Sequence, residues 1–351
     1  MSSFHKKKII SWLAPVLSGL GVHKLFEPLC AGIGHILTFH RVLPPSSDLR
    51  IHNHLSLEIS PKQLEASIAF YRKRGYHFAS LDEFHEQLQK RQEVGKMVAF
   101  TFDDGYTDNY SVAYPILKKH HIPFTIYITT NFPDRKAILW WYLLEDVLKE
   151  AAQLSFEHQG KRYQFNCQKL REKERTFDAV RQLINQSFST EGHLELLTKV
   201  LKKDVADLYR YGEKMAMSWE EIKQLSQDPL CTIGAHTVNH YPLIQLDEKS
   251  LRYEILESKN RIEAHIGEAV EHFAYPFGKK VEAADREYAM VKKLGFKTAT
   301  TTCMGTIFPA HEARQECLPR ISINSVTNEQ VLKLQASGML PFLLHKGKKI
   351  A

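Results

Sequence analysis

Several signatures that would decide the class of a protein quickly are missing from this chain of 351 residues. Its five cysteines, Cys30, Cys167, Cys231, Cys303 and Cys317, are odd in number and widely spaced. They form neither a disulfide framework nor a zinc ribbon, and reduced thiols in a cytoplasmic setting are expected. There is no basic stripe interleaved with aromatics and no nucleic-acid motif, which argues against a nucleic-acid partner. No internal repeat or low-complexity tract is visible. The formal charge of +7 is modest for this length, and much of it lies at the ends, in Lys6, Lys7, Lys8, Lys346, Lys348 and Lys349.

The amino-terminal segment KKKIISWLAPVLSGLGV has the basic start and apolar centre of a signal peptide. No small-x-small cleavage site follows it, and EPLCAG makes a poor lipoprotein box because Pro28 and Leu29 stand where small residues belong. The segment is too short to span a bilayer. It reads as an amphipathic helix packed on the domain or lying on a membrane surface, a peripheral contact. The expected location is therefore cytoplasmic, with inner-membrane association or secretion left open.

Apolar residues make up 43% of the chain and charged ones 25%, the balance of an ordinary globular protein. Short β-branched or apolar runs at Ile36–Phe39, Val98–Phe102, Phe124–Thr129, Cys231–Ala235, His272–Pro276, Lys297–Thr301 and Arg320–Ile323 alternate with helical patterns. The helices fall at Pro61–Arg74, Leu81–Gln89, Asn109–His120, Lys249–Ile266, Asp285–Leu294 and Asn328–Ala336. Strands and helices in alternation predict an α/β fold, a distorted (β/α) barrel of about seven parallel strands. The alternation breaks from about residue 134 to 215, where the chain turns polar and mostly helical, and this stretch reads as an insertion. The expected organisation is residues 1–95 as an N-terminal helix with the first barrel strand and its helices. Residues 96–351 then form a catalytic domain that carries the insertion.

Two clusters carry chemistry. In VAFTFDDGYTD, Asp103 and Asp104 follow a strand directly, on the face where α/β barrels keep their catalytic residues. One carboxylate would ligate a divalent cation while its neighbour serves as general base toward water, and the cation would let both acids stay ionised. A capping role for the pair is the plain alternative. In CTIGAHTVNHYPL, His236 and His240 again follow a strand. Four residues apart, they would share one face of a helical turn and reach a single ion. Two imidazoles and one carboxylate suit zinc, with cobalt and nickel also acceptable, better than magnesium.

TFDDG at Thr101–Gly105 and HTVNH at His236–His240 resemble the first two signature motifs of the polysaccharide deacetylases, the NodB-homology or family-four carbohydrate esterases. The resemblance begins at about Lys96 and runs, across the insertion, into the final strands. It implies a distorted (β/α) barrel that removes acetyl groups from N-acetylated sugars. It also implies Asp103 as base and Asp104, His236 and His240 as metal ligands. The family's third motif, Arg-x-Pro-Tyr/Phe-Gly, is matched only in part: FAYPFGK supplies Pro276, Phe277 and Gly278, but Ala274 stands where the arginine that pairs with the base belongs. Arg320, at the start of a late strand, is the candidate replacement, against the alternative of a surface arginine.

The backbone N–H of Phe277 matches the family's oxyanion donor. The last family motif, Leu-x-His, is present as Leu343–His345 but falls in the tail, so His40 in ILTFHRV is the preferred candidate for the acid that protonates the leaving amine. Tyr106, Tyr275, Pro276 and Trp141 are the candidate sugar contacts, though aromatics at such spacings commonly belong to the core.

The expected activity is metal-dependent N-deacetylation of an acetylated glycan or lipid-linked sugar, as in chitooligosaccharide deacetylases. Two alternatives accompany it. One is an O-acetyl esterase or other amidase on the same scaffold. The other is a carbohydrate-binding homologue with impaired catalysis, which the missing arginine would favour.

Overall fold

The computed structural model describes residues 12–45, 50–51, 54–90, 95–188 and 192–348. Seven strands form the frame: β1 (Gly34–Phe39), β2 (Met97–Phe102), β3 (Phe124–Ile128), β4 (Cys231–Ala235), β5 (His272–Ala274), β6 (Thr298–Met304) and β7 (Leu318–Ser322). Each pairs in parallel with the next, and β1 closes the ring by pairing with both β2 and β7, at Thr38↔Thr101 and Leu37↔Ile321. Every residue of β1, β2 and β3 is buried, as parallel strands covered on both faces must be. The expected barrel of seven parallel strands is the fold.

The helices between strands begin and end where local chemistry dictates. Ser60 and Gln63 form a reciprocal capping box ahead of Pro61–Lys73, with Pro61 in the first turn. Asp247 caps Glu248–Ile266, which Gly267 terminates in the left-handed conformation. Asn328 caps Glu329–Ala336.

Between β3 and β4 the chain departs from the simple alternation and builds a core of its own. Helices Trp140–Glu150, Leu170–Ser187, His193–Leu201 and Val205–Glu213 bury Leu143, Leu148, Phe177, Val180 and Leu197 against one another. The sequence reading of this stretch as mostly helical missed an antiparallel hairpin, Gln153–His158 with Lys161–Asn166. Its signals were present. Leu154 and Phe156 alternate inward past exposed Ser155 and Glu157, and Gln159–Gly160 supply two positive φ angles, 50° and 70°, as a two-residue hairpin turn requires.

Candidate active site

Strand β2 delivers Asp103 and Asp104 to the C-terminal mouth of the barrel, both almost fully buried. Adjacent carboxylates would repel if they pointed the same way. Asp104 avoids this by adopting a φ of 77°, and Gly105 follows at 87°, so the two side chains diverge. Asp103 turns toward β7, where Arg320 grips it with two parallel bonds: Nη1 donates to Oδ1 and Nη2 to Oδ2, each at 2.7 Å. Arg320 is itself buried and held by donating to Thr101 Oγ1 at 3.1 Å and to the Thr301 carbonyl at 2.9 Å. Burial works against ionisation of Asp103, but the guanidinium outweighs it and keeps the carboxyl below its usual range. Arg320 therefore sits in the core and not on the surface. It makes, from β7, the contact that the missing third-motif arginine would have made from β5.

Asp104 turns the other way, toward β4. Its Oδ1 lies 3.3 Å from His236 Nε2 and 3.2 Å from His240 Nε2. These short contacts lack hydrogen-bond geometry, so Oδ1 is a buried acceptor without a donor. His236 Nδ1 is 2.7 Å from the Ala274 carbonyl, which fixes the proton on that nitrogen and aims the lone pair of Nε2 at Asp104. Ligand atoms from Asp104, His236 and His240 all lie within 4.8 Å of one another, the one such group of three among the described residues. An orphaned carboxylate oxygen facing two imidazole nitrogens fits a divalent cation.

The two histidines converge for a reason other than the one their spacing suggested. The segment after β4 is an irregular loop that bends at Val238 and Asn239, and not a helical turn. Thr237 and His240 have φ angles of 67° and 60°, unusual for any residue and most of all for a β-branched threonine. Two devices hold the loop in this shape. Thr237 Oγ1 accepts from the His240 N–H at 3.0 Å. The buried Glu254 carboxylate, on the helix that follows, accepts from the N–H groups of Val238 and Asn239 at 2.9 Å each. Of the nine described non-glycine residues at positive φ, four (Asp104, Thr237, His240 and Phe277) line this site, so backbone strain is concentrated where the geometry is most demanding.

His40, at the end of β1, places Nε2 4.0 Å from Asp103 Oδ2, and its side chain is 19% exposed. Burial pushes its pKa down, against the pull of Asp104 and Asp103. Phe277, φ 58°, packs its ring 4.9 Å from that of His240, and Thr302 Oγ1 donates to its carbonyl at 2.5 Å. Gly278 allows this loop to close, since a Cβ there would meet the Thr302 nitrogen at 2.6 Å.

The proposed sugar contacts divide. Trp141 is partly exposed, with its ring centroid 5.9 Å from that of His240. It lines a cavity of about 440 Å³ with His240, Tyr241, Asn239, Phe188 and His193, between the helices of the β3–β4 segment and the barrel mouth. Tyr106, Tyr275 and Pro276 are buried and present no face to a ligand. The Tyr106 hydroxyl accepts from Trp141 Nε1 at 3.2 Å, and the Tyr275 hydroxyl donates to the Glu316 carbonyl at 2.7 Å. His345 is remote from the site, its Nε2 2.6 Å from the Met304 carbonyl. Thr38, whose Oγ1 donates to Asp103 Oδ2 at 3.4 Å, and Thr101 and Thr301, which hold Arg320, went unnoticed in the sequence because their roles depend on cross-barrel pairings, and Glu254 because it reaches back about 15 residues from the following helix.

Known proteins bear on this arrangement in two ways. The solved structures that resemble it show the fold: the Streptococcus pyogenes deacetylase PplD in complex with acetate aligns with a TM-score of 0.56 at 19% identity, over 86% of this chain and 97% of that one. A de-N-acetylase from Aggregatibacter actinomycetemcomitans aligns with a TM-score of 0.55 at 14% identity, over 86% and 99%. In sequence, the YxkH protein of Bacillus subtilis strain 168, itself named only as a candidate polysaccharide deacetylase, is 37% identical over 99 residues, 28% of this chain and 34% of that protein. The match thus spans about a third of that relative's length. The family model for polysaccharide deacetylase matches residues 90–299, which carry both acids, both histidines and the Pro-Phe-Gly turn, and the chain belongs to the polysaccharide deacetylase family.

Proposed function

We propose that the protein is a metal-dependent N-deacetylase acting on an acetylated glycan or a lipid-linked acetylated sugar. The observation that carries this reading is the buried, donorless Oδ1 of Asp104 facing Nε2 of both His236 and His240, with the Arg320-paired carboxylate of Asp103 beside it. Asp104, His236 and His240 would hold a divalent cation, zinc best matching two imidazoles and one carboxylate, with cobalt or nickel as substitutes. When bound, such an ion supplies Lewis acidity for a carbonyl and for water.

The chain's own groups do the rest. Asp103, kept ionised by Arg320, takes a proton from the water that attacks the acetamide carbon. The N–H of Phe277 donates to the developing oxyanion, which a rigid turn can do without reorganisation. The proton returns through His40 to the departing nitrogen, so that acetate and a free amine leave. Trp141 offers a ring face at the rim of the cavity beside His240 for the sugar. The reading as a binding protein with impaired catalysis loses its main support, because Arg320 supplies the contact whose absence suggested it.

Acetate release from chitooligosaccharide, acetylated xylan and a lipid-linked N-acetylated sugar tests the proposal. Asp103→Asn is expected to keep its metal and lose about 10²–10⁴-fold in rate, whereas His236→Ala and Asp104→Asn lose metal. Full activity in Asp103→Asn, or acetate from xylan esters alone, would refute the assigned chemistry.

A further inference from the structure

The surface at the amino- and carboxy-terminal helices violates the ordinary pattern of a water-facing helix. Twelve large hydrophobic side chains are exposed among the described residues, and eight of them (Trp12, Leu13, Val16, Leu20, Leu25, Leu29, Leu343 and Leu344) belong to three neighbouring helical segments: residues 12–19 with the turn after them, Val22–Cys30 and Met339–Leu344. Each segment also has an inner apolar face. Ala14, Leu17, Val22 and Phe26 pack on Val331, Leu334, Met339 and Leu340, and Phe26 and Phe342 meet at 5.7 Å. The core is thus satisfied from one side, and a second stripe points outward: Trp12, Val16 and Leu20 at intervals of four, and Leu25 with Leu29 at the same interval. Trp12 is 79% exposed and Leu25 75%, so these side chains protrude instead of lining a groove.

In sequence, both termini are also basic. The first 30 and last 14 residues contain seven lysines and one acid, six of the chain's seven net positive charges, so the 307 residues between are nearly neutral. Protruding aliphatic and indole groups, with Lys24, Lys346 and Lys348 on or directly beside the same segments, match the chemistry of a bilayer interface carrying anionic headgroups. A stable protein interface would instead require a complementary, interlocking shape.

The topology also separates this face from the candidate active site. Cys30 leads into the first residues of β1, and Gly338 lies so close to it that a Cβ there would fall 1.9 Å from the Cys30 carbonyl oxygen. Both therefore lie at the N-terminal end of the barrel, opposite the mouth that holds Asp103 and Asp104.

We propose that this face docks the protein on an anionic phospholipid membrane, with the catalytic mouth directed away from the lipid. Co-sedimentation of the full chain with vesicles tests it. Binding is expected to vesicles of phosphatidylglycerol mixed with phosphatidylcholine, to be weak on phosphatidylcholine alone, and to fall as salt rises. Leu25→Ser/Leu29→Ser/Leu343→Ser should weaken partition by at least about tenfold and leave thermal stability and acetate release from a soluble oligosaccharide unchanged. Lys346→Glu/Lys348→Glu should weaken it selectively on the anionic vesicles. Three results would overturn the proposal. One is a wild-type chain that stays in the supernatant with anionic vesicles. Another is a triple-serine variant that binds as the wild type does. The third is a lipid-free dimer in sedimentation velocity that the triple variant dissolves, since a second copy would then be the occupant.

Discussion

Arg320 and Asp103 form a buried ion pair whose coupling can be measured. Arg320 is 1% exposed and Asp103 2%, and the guanidinium makes two bonds to the carboxylate at 2.7 Å plus one each to Thr101 Oγ1 and the Thr301 carbonyl. Breaking such a pair by removing one partner costs about 3–5 kcal/mol, mainly because the other charge is left buried and alone. Arg320→Met and Asp103→Asn should each destabilise by that amount. The double variant leaves no orphaned charge, so its loss should fall short of the sum by about 2 kcal/mol or more. Urea unfolding followed by the fluorescence of the four tryptophans, on proteins of equal metal content, gives the three differences. Arg320→Lys should recover only part of the loss, because an ammonium cannot reproduce the two-pronged grip. Losses that add to within about 0.5 kcal/mol, or an Arg320→Met cost below about 1 kcal/mol, would refute the pairing and with it the replacement of the third-motif arginine.

Three further outcomes follow from particular residues. Glu254→Ala strands the buried N–H of Val238, at about 1–3 kcal/mol, and the part-buried N–H of Asn239, at less. It should lower zinc affinity by calorimetry more than Glu254→Gln, which keeps an acceptor; equal affinities would remove Glu254 as organiser of the histidine loop. Gly278→Ala forces a side chain into φ 62° and against the Thr302 nitrogen, and should reduce kcat more than it raises KM if Phe277 N–H meets the oxyanion. His35 is wholly buried, stacked on Tyr76 at 5.2 Å, and burial pushes its pKa down to about 3. The unfolded chain, titrating near 6.5, takes up the proton first, so stability is full above that pH and is lost as pH falls toward about 3. The loss reaches about 2 kcal/mol at pH 5. His35→Phe should shrink the drop in Tm between pH 7 and pH 5, and an unchanged drop would assign acid sensitivity elsewhere.

The sequence alone determined the parts that rest on local rules. Alternating apolar runs and helical periods located seven strands and six helices to within a few residues, because pleat and helix periods are written in neighbouring side chains. The two motifs marked both acids and both histidines, since each group stands directly after a strand. Tertiary structure decided the rest. Nothing local to Arg320 distinguishes a surface arginine from a buried partner of Asp103, 217 residues away; only closure of β1 on β7 brings them together. The spacing of His236 and His240 suggested a helical turn, yet Glu254 and Thr237 hold a strained loop that aims the same imidazoles at one point. Tyr106 and Tyr275 look like sugar platforms in the sequence and are core in the fold, because which side of a turn faces solvent depends on what packs behind it.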